Sequence, residues 1–347
     1  MRNKKRAVTI QDVAKAAGVS VSTVSRVLNE KVDVAQDTQE RILDVIKQLG
    51  YTSNLAARSM RGRHSHLIGL IIPDIGFPYS IEIMKGVNQA IAQSDFGLMV
   101  YTTGDIQKNA TASLEQHYVS LLNNSITDGV IIVAPIAQDF YSDGPIVSVD
   151  PHKMKPNFPS VHANNYEGAR QAIKYLIELG HTRIGFIAGR PELESAERRL
   201  RGYRDTLVEF GLPLDESLIV QGDFTQKIAV GCAHQLLTME NRPTAIFAGN
   251  DQSAIGVYEA AEELGFDIPG DLSVVGFDNI PEAGYLNLTT IDQFLTDMGR
   301  VATEMLIQLI NQKPLETLTY RMQTELIIRG SCSPIFQEAL HETKSAL

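Results

Sequence analysis

A chain of 347 residues, 44% of them hydrophobic and 21% charged, is too long for one ordinary core and has the composition of a soluble globular protein of two or three domains. No apolar run approaches a membrane span and the basic start leads into no apolar signal region, so a cytoplasmic protein with no membrane partner is expected. The net charge of −10 hides a division, because residues 1–63 hold 12 Lys and Arg against 6 Asp and Glu, whereas the other 284 hold 19 against 35; a basic head on an acidic body is the footprint of a DNA-binding module attached to something that should not itself adhere to DNA.

In chain order, the first elements fall within Thr9–Asn29, TIQDVAKAAGVSVSTVSRVLN. Thr9 followed by Asp12 is a capping-box pattern. Ile10, Val13, Ala14 and Ala17 then form one apolar stripe, and Gly18 stands where a left-handed cap would end the helix. Ser20 suits the N-cap of a second helix that buries Val24, Val27 and Leu28 and turns Val21, Ser22, Ser25, Arg26 and Asn29 outward. That outer face is small and polar with one Arg, which fits a helix entering a major groove, where a guanidinium bonds both acceptors of a guanine. A third helix, Gln36–Leu49, carries Ile42, Val45, Ile46 and Leu49 toward the same core and lacks a capping hydroxyl at Ala35. Tyr51 to Arg63 is a short basic segment whose helix-forming part, Asn54 to Arg61, is too short to be helical alone in water.

From Leu67 the texture changes to short apolar runs alternating with helical stretches. Strands are expected at Leu67–Pro73, Leu98–Thr102, Gly129–Ala134 and Ile146–Val149, with helices near Tyr79–Gln93 and Ala112–Asn124. A second series follows, with strands at Arg183–Ala188, Leu218–Gln221, Ala245–Ala248 and Ser273–Phe277, and helices near Gly168–Leu179, Ser195–Phe210, Ile228–Leu237 and Ala254–Leu264. This alternation predicts two doubly wound parallel sheets. Ligands in such sheets lie beyond the carboxyl ends of the strands, where Asp150, Asn250, Asp251 and Asp278 stand. An Asp or Asn there also suits a helix cap, a role as plausible for Asp251 as ligand binding.

The run AGVSVSTVSRVLN closely resembles the recognition segment of the lactose-repressor and galactose-repressor (LacI/GalR) family of bacterial transcription factors, and the resemblance extends over residues 8–334. It implies an all-α helix-turn-helix domain at 1–50 and a hinge helix or linker at 51–65. It further implies an α/β periplasmic-binding-protein-like (type I) body at 66–335, in which the chain crosses three times between an N-subdomain (about 66–163 and 295–322) and a C-subdomain (about 164–294 and 323–335), and leaves a tail at 336–347. The DNA-contacting candidates are Thr9, Ser20, Val21, Ser22, Thr23, Arg26 and Asn29 in the motif and Asn54, Ala57, Arg58 and Met60 in the hinge, with Met60 at the apolar wedge position where Leu is usual. The resemblance tips Asn250 and Asp278 toward effector binding and adds Arg199, Phe224, Phe77 and Tyr79; with Asp150 these are the effector-binding candidates.

Carboxylates, an amide and an Arg beside aromatic faces suit a saccharide. A purine would also fit an aromatic sandwich with an Arg and an Asp. Phe77 and Ser80 replace the Asn and Phe usual in NPFF, Asn164 replaces a usual Asp, and Phe294 and Leu295 follow Gln293 where Pro and Phe are usual, so the ligand is open. No phosphate-binding glycine loop, zinc pair or nucleophile elbow occurs, and neither a cofactor nor a metal is expected. The two cysteines, Cys232 and Cys332, form no motif. The expected protein is therefore a homodimeric regulator, most simply a repressor, that binds near-palindromic double-stranded operator DNA and is switched by a small polar metabolite such as a sugar. A tetramer is not expected, because the 13 residues after Pro334 hold no leucine heptads. The rival readings are a secreted solute-binding protein, which Thr9–Asn29 opposes, and an enzyme with cleft carboxylates, which nothing local supports.

Overall fold

The structure is a computed structural model that describes residues 8–28, 34–51, 65–104, 111–123, 126–152 and 157–335. The chain divides into two compact units, Met1–Ser65 and His66–Leu347.

In the first unit, helices α1 (Ile10–Ala17), α2 (Val21–Val27) and α3 (Gln36–Leu49) enclose Val13, Ala14, Ala17, Val24, Val27 and Ile42. Each boundary has a local cause. Thr9 and Asp12 form a reciprocal capping box. Gly18 at φ +66° ends α1, and the Val19 amide bonds the Ala14 carbonyl to close the turn. Ser20 caps α2 by accepting from the Thr23 amide, whereas Ala35 gives α3 no side-chain cap. Leu49 departs from expectation. It is 38% exposed and lies outside the core, because a helix of 14 residues runs about 21 Å and overshoots partners of 8 and 7 residues.

The second unit holds two six-stranded sheets. Strands β1 (Leu67–Ile72), β2 (Gly97–Thr102), β3 (Gly129–Val133), β4 (Ile146–Val149) and β5 (Ser160–Ala163) are joined by β11 (Thr319–Met322) in the order β11-β5-β4-β3-β1-β2, all parallel. Strands β6 (Ile184–Ala188), β7 (Ile219–Gln221), β8 (Ala245–Ala248), β9 (Ser273–Asp278) and β10 (Thr289–Asp292) are parallel, and β12 (Glu325–Ile327) closes that sheet antiparallel to β10, giving β12-β10-β9-β8-β6-β7. The chain thus passes from one sheet to the other after β5, after β10 and after β11.

Helices α4 (Pro78–Ile91), α5 (Thr111–Asn123), α6 (Asn165–Glu178), α7 (Glu194–Glu209), α8 (Gln226–Leu237), α9 (Asp251–Leu264), α10 (Pro281–Tyr285) and α11 (Leu295–Ile310) complete this unit. Six of them pack in pairs, α4 with α11, α6 with α7 and α8 with α9. The first pair meets backbone to backbone. A Cβ on Gly86 would stand 1.7 Å from the Thr296 carbonyl oxygen, and one on Gly299 would stand 2.1 Å from that of Ile83. Ile280 follows β9 of the second sheet, yet it is buried in the core of the first with Leu295 and Met298.

Helices α8 and α9 start two and three residues before the apolar pattern, because Thr225 and Asn250 accept the first-turn hydrogen bonds. Strands β5, β10, β11 and β12 and helices α10 and α11 are not among the expected elements. The short, half-exposed β11 and β12 carry neither an apolar run nor a clean alternation.

Candidate functional site

Two surfaces carry the candidate residues. On α2, Val21, Ser22 and Arg26 are exposed, while Val24 and Val27 anchor the opposite side. The Ser20 hydroxyl lies 2.7 Å from that of Ser22 and 2.8 Å from that of Thr23, so the start of the helix is a tight cluster of hydroxyls with little bulk. Thr9 is held in its cap by a 2.7 Å bond from its hydroxyl to Asp12. Asn29, Asn54, Ala57, Arg58 and Met60 lie outside the described residues.

In the second unit, the carboxyl ends of strands from both sheets surround a cavity of about 380 Å³, and all seven effector candidates line it. The first sheet contributes Asp150, placed at the end of β4 with φ +46°, and Tyr79 on α4. The Tyr79 hydroxyl donates to Asp150 Oδ2 at 2.9 Å, and Oδ1 accepts from the Ala163 amide at 3.2 Å. Both carboxylate oxygens are therefore engaged in fixing the wall. Phe77 stands at the N-cap of α4 and contributes no capping bond.

The second sheet supplies the rest. Arg199 reaches in from α7 and is 3% exposed. Its Nε donates to Asn165 Oδ1 at 2.8 Å, Nη1 donates to the Gly249 carbonyl at 2.6 Å, and Nη1 lies 3.5 Å from Asp278 Oδ1. The guanidinium carbon stands 3.7 Å from the centroid of Phe277 and 5.5 Å from that of Phe224. Among the described residues, Arg199 Nη2 and Asp278 Oδ2 have no hydrogen-bond partner. Phe224, at φ +73°, lays its ring against Gly189, where a Cβ would be 1.9 Å from ring atom Cζ. Asn250 has a double structural duty: its Oδ1 caps α9 by accepting from Ser253, and its Nδ2 donates to the Phe224 carbonyl at 3.1 Å. Ala134, Asp150, Phe224 and Asp278 are non-glycine residues at positive φ on this wall, and strain gathered in this way marks sites where geometry is held for a purpose.

Electrostatics follow from burial. Burial pushes Asp278 up to about 7, with Asp150 adding to the rise while Arg199 and a 2.5 Å bond from Gln293 Nε2 oppose it. Burial lowers Arg199, and Asp278 and Asp150 oppose that shift. Tyr79 is raised by burial and then by Asp150. Asp251 lies outside the cavity wall; fully buried, it accepts from the Ile280 amide at 2.9 Å and the Thr290 hydroxyl at 2.5 Å, and burial raises it strongly. Arg198 and Arg201 pair with Glu194 and Asp205 on their own helix.

Sequence reasoning missed Asp74, Arg190, Glu192, Ser195 and Asp223, which also line the cavity. The rule that found Asp278 applies to several of them, since Asp74, Arg190 and Asp223 stand two residues beyond the ends of β1, β6 and β7. Aromatic side chains, a carboxylate oxygen and a guanidinium nitrogen lining one cavity can hold a hydroxylated ring by an apolar face and a pair of adjacent hydroxyls. Among the described residues, no helix is long and apolar enough to cross a membrane, and no group of three or more His, Cys, Asp or Glu is placed to hold a metal ion.

A helix-turn-helix unit on the same chain as a clefted two-sheet unit defines the class of ligand-responsive DNA-binding regulators. Residues 9–54 match the bacterial regulatory proteins of the lacI family, and residues 173–332 match the periplasmic binding protein-like domain. The HTH-type transcriptional repressor PurR of Photobacterium profundum is 33% identical over 333 residues, 93% of this chain and 98% of that protein. The ribose operon repressor of Halalkalibacterium halodurans is 36% identical over 329 residues, 92% of this chain and 96% of that one. The lac repressor dimer bound to operator and the anti-inducer ONPF superposes with a TM-score of 0.81 at 26% identity, covering 94% of this chain and 100% of that one. The chain belongs to the lacI family of bacterial regulatory proteins, and it is a DNA-binding transcriptional regulator.

Proposed function

We propose that the protein is a homodimeric repressor that binds a near-palindromic operator through residues 1–50, with residues 51–65 as a DNA-coupled hinge, and that a saccharide in the cleft of residues 66–335 changes its operator affinity. The observation that carries the effector reading is that Arg199, with its guanidinium over the Phe224 ring, and Asp278 line one cavity, each with a polar atom, Nη2 and Oδ2, left for a ligand. A vicinal diol can accept from the first and donate to the second while its apolar face lies on the ring. Dimerisation is supported by the motif class, because one such domain contacts too few bases for useful specificity and a two-fold operator matches a two-fold protein. The lac repressor relative is a dimer on its operator. The effector acts only through its difference in affinity between two conformations of the body. The cleft binds and releases its ligand unchanged.

Selection of random duplexes by the full chain, followed by footprinting, tests the first half of this reading: two symmetric half-sites about one helical turn apart are expected, and a single asymmetric half-site would reject the dimer. Thermal shift with neutral sugars, followed by the shift of operator affinity for any that bind, tests the second. Stabilisation by hypoxanthine or adenine with no response to any sugar would replace the saccharide with a purine.

A further inference from the structure

Anions need spare cations or spare amides, and the cleft offers little of either. Among the described residues, its wall holds two cationic side chains, the guanidiniums of Arg190 and Arg199. Arg190 is 9% exposed and places Nε, at 3.0 Å, and Nη2 on the same Glu192 oxygen. Arg199 spends Nε and Nη1 on Asn165, Gly249 and Asp278, with its face on Phe277. Against these two guanidiniums the described wall carries five carboxylates, those of Asp74, Asp150, Glu192, Asp223 and Asp278. Two helices open at the cavity without a side-chain cap, α4 after Phe77 and α7 after Leu193. Neither compensates. The first lacks one amide at Pro78, and the second carries Glu194 and Glu197 in its first turn, which already answer the positive end of the helix.

We infer that this cleft accepts an uncharged effector and excludes the phosphate ester of that same molecule, with Asp150 and Asp278 as the groups that enforce the exclusion; the inference rests on the saccharide reading of the site. A dianion seated on Arg199 Nη2 would share a volume of about 380 Å³ with both carboxylates, each of which already acts on the Arg199 charge, in surroundings where charges interact several times more strongly than in water. Proton uptake by Asp278, which titrates near 7, would relieve only one of the two repulsions. A hydroxyl has no such conflict, since it donates to a carboxylate or accepts from a carboxyl group with little rearrangement.

The test is titration calorimetry on the full chain with D-ribose, D-glucose and D-galactose, each beside its phosphate ester, and with hypoxanthine beside inosine 5′-monophosphate. The expected result is binding of a neutral member with its charged counterpart weaker by on the order of 100-fold. In Asp150→Asn, which keeps an acceptor for Tyr79, that gap should narrow by at least about tenfold. Binding of hypoxanthine alone would keep the charge rule and end the saccharide reading. Binding of a sugar phosphate in preference to the free sugar would end the charge rule and keep the saccharide. Silence from every neutral member would overturn both, and an undiminished gap in Asp150→Asn would overturn the role given to the carboxylates.

Discussion

Arg26 stands exposed on α2 beside Val21 and Ser22, and its reach and fork suit one guanine. Arg26→Ala should cost about 1–3 kcal/mol per half-site and relax preference at a single base pair; binding to a library of operator variants measures this, and an equal loss on every sequence would make Arg26 a phosphate contact. In the cleft, Arg199→Ala and Asp278→Ala should each remove the ligand response, weakening effector binding about 10- to 100-fold, and leave operator binding in gel shifts intact. Asp278 also links stability to pH. Its carboxyl group loses its proton near 3.8 in the unfolded chain and near 7 in the fold, so its contribution is fully present below the first value and is lost as pH rises through the second. Asp278→Asn should therefore gain stability relative to the parent between pH 5 and 8, read as a melting-temperature difference that grows with pH. Equal pH profiles would show that the group is ionised throughout. Gly189→Ala probes the floor without deleting a polar group: its Cβ would displace the Phe224 ring, and loss of effector affinity with an unchanged melting temperature is expected.

At the scale of elements, the pairing of α4 with α11 depends on glycines that let one backbone touch the other. Gly86→Ala places a methyl group 1.7 Å from a carbonyl oxygen, and backbone on both sides cannot step aside as a side chain would. We predict destabilisation by about 3 kcal/mol, seen as a lower melting temperature. An unchanged value would mean that the helices separate freely. Such crossings are invisible in a sequence, where Gly86 and Gly299 merely interrupt helical patterns. What is legible is burial on two faces: LIGLII, GVIIV and SVVGF are continuous apolar runs because helices cover both sides of their sheets. Edge strands such as TYRM and ELI bury little and leave no pattern. The site was legible to the same depth. Strand ends located Asp150, Asn250 and Asp278, but the bond from Tyr79 to Asp150, the hold of Asn250 on Phe224 and the bond from Gln293 to Asp278 join segments 15 to 71 residues apart, which periodicity does not bring together.

On the scale of the whole clefted unit, the passages between sheets are ordered by polar and apolar contacts together. Asn279 Nδ2 donates to Asp292 at 2.9 Å while Gln293 donates to Asp278, so the ends of β9 and β10 are tied twice, and Arg329 beyond β12 donates to Asn279 Oδ1 at 2.8 Å. Ile280 sits in the core of the opposite sheet. Two halves joined in this way share stabilising contacts, and His66–Leu347 should melt in one calorimetric transition; two resolved transitions would show that the Ile280 contact is dispensable. The seating of Ile280 also has a mechanical consequence. A joint packed with hydrocarbon acts as a fulcrum, so movement of the cavity wall is expected where that wall is exposed, at Pro191 and Glu192. A glutamate-specific protease should then cut after the exposed Glu192 in the empty protein and be blocked there once the cleft is filled, while cleavage after the half-buried Glu282, beside the buried Ile280, is the same in both states.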